Sequence, residues 1–127
     1  MSRTYLVDVE WVPASPSPIS NAVVVGNMCW ISGQLSVGPQ GYIAGTAREE
    51  AEIAFGHVFR IAEAAGFSPD EIVYVDIAFS DLKDVAEVNA LYGSLFADGK
   101  RPARTIYQAA ALPFGGKVKV QAVAARG

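Results

Sequence analysis

Cysteine and histidine are almost missing from this sequence: Cys29 and His57 are the only two in 127 residues. One cysteine cannot close an internal disulfide, which fits a reducing compartment and makes the cytoplasm the expected location. One histidine, with no second His or Cys at ligand spacing, predicts no metal site. His57 therefore reads as a solvated or packing residue of an amphipathic helix, and Cys29, between Met28 and Trp30, as a packing residue. Charge is also scarce, at 18% of residues, and sums to −3 with a pI near 5.0. Nucleic-acid binders gather Lys and Arg on one face. Here the one local group is Lys100, Arg101, Arg104, Lys117 and Lys119, which suits a small anion better than a polyanion. The longest apolar runs, 21–31 and 72–79, fall well short of the ~20 residues that cross a bilayer. No basic segment followed by an apolar one opens the chain, so neither a membrane span nor a secretory leader is expected. Patterns of the G-x-S-x-G, P-loop and G-x-G-x-x-G kinds are absent, which removes the usual signatures of serine hydrolases and nucleotide folds.

What the chain does have is apolar surface. Hydrophobic residues make up 51%, which excludes a disordered tail or linker. A chain of this length reads as a single domain, 1–127, burying roughly two-thirds of its unfolded surface without disulfides or metal. A mean hydropathy of +0.25 is high for so small a protein and points to surface covered by another subunit.

Loose alternation over Tyr5–Val12 predicts a first strand. Pro13–Pro18 holds three prolines, which lack amide donors, so it reads as an extended loop outside any ladder. Ala22–Val25 and Met28–Ile31, split by Gly26-Asn27, predict a hairpin running into Ser32-Gly33-Gln34, and Gly38 to Gly41 marks another turn. Thr46 with Glu49 forms a capping box that opens a helix, Phe55, Val58, Phe59, Ala62 and Ala65 lie at helical spacing, and Gly66 ends it. In 72–79, Val73, Val75, Ile77 and Phe79 point one way and Tyr74, Asp76 and Ala78 the other. Ser80 or Asp81 caps a second helix with Val85, Val88, Tyr92, Leu95 and Phe96 on its buried side. Strands over Arg104–Ala111 and Lys117–Ala125, joined by Leu112–Gly116, are expected to form a C-terminal hairpin. This order predicts an α+β two-layer sandwich with two helices packed on one face.

Alternation also sorts the C-terminal side chains. Arg104, Ile106, Gln108 and Ala110 share one face. In the last strand Lys117, Lys119, Gln121 and Val123 share one face, while Val118, Val120, Ala122 and Ala124 make a core face. Arg104 thus opens a strand among small apolar neighbours, beside a strand carrying lysines. A guanidinium placed there would bind a carboxylate bidentately; ordinary solubilising charges on a surface strand are the other reading.

These residues carry a resemblance. The run R-P-A-R-T-I-Y-Q-A-A-A-L-P-F-G-G-K-V-K-V-Q-A-V-A at 101–124 resembles the C-terminal signature of the Rid family, the YjgF-like reactive intermediate deaminases: Pro-x-Arg, a Leu-Pro turn and an alternating last strand. Further matches, in order, are S-P-S-P-I-S-N-A at 15–22, G-N-M-C-W-I-S-G-Q at 26–34, E-A-A-G at 63–66 and D-L-K-D-V-A-E-V-N-A-L-Y at 81–92. The resemblance covers essentially the whole chain. It implies a chorismate-mutase-like fold with a mixed sheet, assembled as a homotrimer with ligand clefts between subunits. It also implies cofactor-free hydrolysis of small imino or enamino acids to 2-oxo acids and ammonia.

Carried over by position, Arg104 matches the arginine that grips the substrate carboxylate. Ile106 stands where many members have Cys and where main-chain groups contact the ligand; Ser32 and Gly33 match the pair lining the cleft, and Asn89 an asparagine of the second helix. Two positions depart. Ile19 replaces a tyrosine that closes over the ligand, and Lys119 replaces a glutamate that positions or activates water. An ammonium with its ordinary pKa of ~10 cannot take a proton from water at neutral pH. Three readings of Lys119 stay open: a base or imine-forming amine whose pKa Arg104 depresses, a second cation binding a dianion such as 2-aminomuconate, or a lysine turned to solvent. A non-catalytic module that binds a small carboxylate is the rival to the deaminase. Ribonuclease activity or translation inhibition, attached to some family members, fits the acidic pI poorly. No nucleic-acid or membrane partner is expected.

Overall fold

The computed structural model describes residues 2–127. In chain order these form β1 (Arg3–Leu6), β2 (Ala22–Val25), β3 (Met28–Gln34), β4 (Val37–Gly38), β5 (Gly41–Tyr42), α1 (Ala47–Ala64), β6 (Ile72–Phe79), α2 (Val85–Leu95), β7 (Ala103–Gln108) and β8 (Val118–Ala125). Gly26, at φ +57°, turns β2 into β3 with Val25 opposite Met28, as the Gly-Asn signal predicts. The six-stranded sheet runs β1-β2-β3-β8-β6-β7, and only β6–β7 is parallel. β4 and β5 form a separate small hairpin.

Three expectations are corrected. The first strand stops at Leu6. Beyond it the Asn21 side chain takes the Val7 carbonyl at 2.7 Å, and a turn closes from the Val12 amide to the Val9 carbonyl with Trp11 at φ +69°, so the backbone leaves the ladder. In β6 a register shift between Ile72 and Tyr74 buries Ile72 and exposes Val73, breaking the expected alternation there. The C-terminal strands do not pair with each other. β6, α2 and β7 form a β-α-β unit, whose crossover makes β7 parallel to β6. β8 then takes the other edge of β6.

Both helices pack on one face. Thr46 Oγ1 accepts from the Glu49 amide at 3.1 Å while Glu49 Oε1 accepts from the Thr46 amide at 2.8 Å, completing the expected capping box. A 3-10 turn at Leu82–Asp84, capped by Asp81, leads into α2. Phe55, Phe59, Tyr92 and Phe96 join the helices in edge and tilted ring contacts. Beneath them lie Val75 and Ile77 of β6 with Val118, Val120, Ala122 and Ala124 of β8, all buried. Cys29 is buried in the same core. The opposite face has no cover: Tyr5, Val23, Trp30, Val123 and Tyr74 pair across five strands there, and Trp30 is 54% exposed.

Candidate functional site

Register decides which side chains can meet. Arg104 pairs with Val75, which pairs with Ala122, so Arg104 lies on the helix-bearing side of the edge strand β7. Ile106 pairs with Ile77 on that side and packs against the core. Asn89 comes from α2: its Oδ1 accepts from Arg104 Nη1 at 2.7 Å. Arg104, Ile106 and Asn89 therefore come together. Tyr92, one turn further along α2, lies under the guanidinium with its ring centroid 4.7 Å from Cζ. Sequence reading placed Tyr92 only in the core; its spacing of three from Asn89 was the available signal. Gln108 is drawn away, with its Oε1 accepting from the Leu82 amide at 3.0 Å.

Lys119 is on the other side of the sheet. It pairs with Ala78, which pairs with Tyr107, all on the uncovered face. Within one chain, then, Lys119 and Arg104 are not neighbours, and Arg104 cannot act as the nearby cation that depresses the Lys119 pKa. The lysine stem instead covers the Ser32–Gly33 bulge of β3: a Cβ built on Gly33 would come 3.0 Å from Lys119 Cδ. Ser32 Oγ donates to the Ser20 carbonyl at 2.6 Å, holding the bulge against the loop that carries the exposed Ile19. A cavity of about 100 Å³ opens behind Ile19 and Gly33, lined also by Asn21, Gln34, His57 and Phe114. The seven candidate residues thus form two half-sites on opposite faces, Arg104–Ile106–Asn89 and Ile19–Ser32–Gly33–Lys119.

The basic cluster divides in the same way. Arg101 pairs with Asp98 at 3.4 Å and Lys117 with Glu50 at 3.5 Å. Among the described residues no carboxylate lies within ion-pair distance of Arg104 or Lys119. Lys100 is likewise without a carboxylate partner among the described residues, but Arg104 and Lys119 are the two unpaired cations of the group that lie in the half-sites.

Glu50 went unnoticed in the sequence, where it reads as one more acid in the first turn of α1. Its carboxylate is 1% exposed and accepts from Tyr42 Oη at 2.6 Å and the Lys117 amide at 2.9 Å. That hydrogen bond, with burial and the carboxylate charge behind it, pushes the Tyr42 phenol up to about 12. His57 is buried rather than solvated: Nε2 lies 2.7 Å from the Val37 carbonyl oxygen and so donates to it. Burial holds its pKa below the ordinary histidine value, against the Val37 bond and helped by Arg60. No group of three His, Cys, Asp or Glu among the described residues is placed to hold a metal ion. None of their helices is long and apolar enough to cross a membrane.

Comparison with known proteins identifies the family and the fold. The profile of the family described as Endoribonuclease L-PSP matches residues 11–126. A 2-iminobutanoate/2-iminopropanoate deaminase of Bos taurus is 36% identical over 124 residues, 96% of this chain and 90% of the relative. The protein of the same name from Escherichia coli strain K12 is 35% identical over 129 residues, covering 99% of each. Among solved structures, YEO7_yeast superposes with a TM-score of 0.92 at 31% identity, over 99% of this chain and 100% of that one. Escherichia coli TdcF with bound serine does so with a TM-score of 0.88 at 30% identity, over 98% and 100%. The chain belongs to the Endoribonuclease L-PSP family, the Rid/YjgF family that its residues 101–124 resemble.

Proposed function

We propose that this protein hydrolyses small 2-imino acids to 2-oxo acids and ammonia, in clefts completed between copies of the chain. The observation that carries the reading is the uncompensated Arg104 guanidinium on the outermost strand, where a ligand carboxylate can reach it. The names of the relatives agree with this chemistry. Arg104 orients the carboxylate, and main-chain groups around Ile106 hold the imine and a water. Water adds across the C=N bond, its oxygen to carbon and one proton to nitrogen; the hydroxyl proton then passes to nitrogen, the C–N bond breaks, and ammonia leaves as the C=O forms. Imines hydrolyse spontaneously, so positioning alone supplies useful acceleration. The reading needs no cofactor.

We propose assembly as a homotrimer, the state the family resemblance implies, and two half-sites on opposite faces of the chain are compatible with it. The uncovered sheet face exposes Trp30 and Tyr107, a patch that suits a second copy. A copy seated there can bring its Arg104 half-site to the neighbour's Lys119 half-site. Three copies of 13.4 kDa give about 40 kDa in light scattering, and Trp30→Asp should reduce that mass. The free charge on Lys119 favours a substrate with a second anionic group, such as a dicarboxylate imine or enamine. A cytoplasmic location remains the expectation from the single buried cysteine.

Ammonia release tests the reading, with imino acids generated in the assay by an amino-acid oxidase. Acceleration over buffer that disappears in Arg104→Ala supports the deaminase. A faster rate with the imines of aspartate and glutamate than with neutral ones assigns Lys119 to the second anion. Carboxylate binding lost in Arg104→Ala, with no acceleration on any imine, replaces the enzyme by a small-acid binding module. Cleavage of RNA is disfavoured by the net charge of −3 and by the neutral surroundings of Arg104.

A further inference from the structure

Arginine side chains are long, and fixing one costs rotamer entropy unless its surroundings set its place in advance. The usual fastener is a carboxylate, but a paired carboxylate also cancels the charge. Arg101 and Lys117 of the same basic group are fastened in that way, to Asp98 and Glu50. Arg104 is not. Its Nη1 donates to an amide oxygen of Asn89, and its guanidinium lies 4.7 Å from the centre of the Tyr92 ring. The ring is itself fixed, by a tilted contact with Phe96 at 4.8 Å and an edge contact with Phe55 at 5.9 Å. Asn89 and Tyr92 lie on one face of α2, so a single rigid helix supplies both contacts.

We propose that Asn89 and Tyr92 are positioning residues that form an uncharged clamp, fixing the Arg104 guanidinium without neutralising it. This rests on the reading of Arg104 as the carboxylate receptor and changes the role of Asn89 from contacting substrate to holding the arginine. An amide oxygen accepts one N–H and leaves the cation its full charge. A ring face attracts the cation through its quadrupole, likewise without cancelling it. With Nη1 held, the remaining N–H donors of the five keep one fixed direction for an incoming carboxylate.

The test is calorimetric binding of 2-oxobutanoate, a stable 2-oxo acid, with the neutral 2-oxobutanamide as comparator. Arg104→Ala should abolish binding of the acid. Asn89→Asp keeps the size of the side chain but places a carboxylate against the guanidinium, and should weaken the acid at least about tenfold while leaving the amide unchanged. Tyr92→Leu should weaken it about three- to fivefold, and Tyr92→Phe, which keeps the ring, should bind within about twofold of the native protein. Because Asn89 is an exposed helix residue, Asn89→Asp decides the matter even where Tyr92→Leu fails to fold. Native affinity in Asn89→Asp, with binding lost in Arg104→Ala, overturns the clamp and leaves the carboxylate receptor standing. Equal losses for acid and amide overturn it by assigning the effect to general structure. Unchanged binding in Arg104→Ala overturns the receptor reading and the clamp with it.

Discussion

Replacing Glu50 by alanine removes the carboxylate that ties three segments together: the first turn of α1, the β5 strand through Tyr42, and the start of β8 through the Lys117 amide. The Lys117 side chain is 41% exposed, so water replaces most of what its ammonium loses. The amide and the phenol are less easily satisfied. A buried donor left without its acceptor costs about 1–3 kcal/mol, so the two together should cost about 3–4 kcal/mol. Glu50→Gln keeps the volume and one acceptor and should cost about half as much. For a domain of this size the alanine variant should melt about 10–15 °C lower. Urea unfolding at one fixed protein concentration checks this, since assembly makes apparent stability concentration-dependent. Adding Tyr42→Phe to Glu50→Ala should cost less than the sum of the single changes, because the phenylalanine leaves no unpaired hydroxyl. A loss below about 1 kcal/mol for Glu50→Ala, or strict additivity in the double variant, would refute the view of Glu50 as a buried junction.

The titrations of Tyr42 and His57 set opposite ends of the pH range. Tyr42 is raised to about 12 from the ordinary 10, so the folded protein holds that proton more tightly; stability should fall as pH climbs from 10 toward 12, and less so in Tyr42→Phe. His57 is lowered, so the folded state resists the charged form; stability should decline as pH falls below 6.5, and His57→Asn should flatten that limb of a melting-temperature profile. Phe55 is fully buried among three aromatic rings, and Phe55→Ala should cost about 3–5 kcal/mol in urea unfolding. Gly33→Ala should leave stability within about 1 kcal/mol, because a flexible lysine stem can move aside. The same substitution should change the relative rates on singly and doubly charged imines if Lys119 faces the cleft.

Local rules carried most of the fold into view. The Gly26 turn, the Thr46–Glu49 box and the alternation of Val118–Ala124 depend on neighbouring residues alone, and each is found as expected. The order of strands does not depend on neighbours. Nothing between Arg104 and Ala125 tells that β6 separates β7 from β8, and that one insertion sets the distance between Arg104 and Lys119. The bulge at Val73 and the early end of β1 escaped for a similar reason, since each is set by a partner distant in the chain. Ile106 and Asn89 were singled out beside Arg104 as site residues by the family resemblance alone, and their meeting depends on the β6-α2-β7 crossover. Glu50 was not legible, because its partners Tyr42 and Lys117 come to it through the tertiary fold.

The place of β8 in the sheet has a consequence for how this protein comes off the ribosome. Residues 118–125 are made after every other strand, yet they lie between β3 and β6, at the middle of the sheet. Until they emerge, the nascent chain holds two incomplete pieces, a three-stranded meander and a β-α-β unit, each with an open edge where β8 belongs. Synthesis at ~5–20 residues per second leaves those edges bare for seconds. The sheet closes only when its last strand arrives.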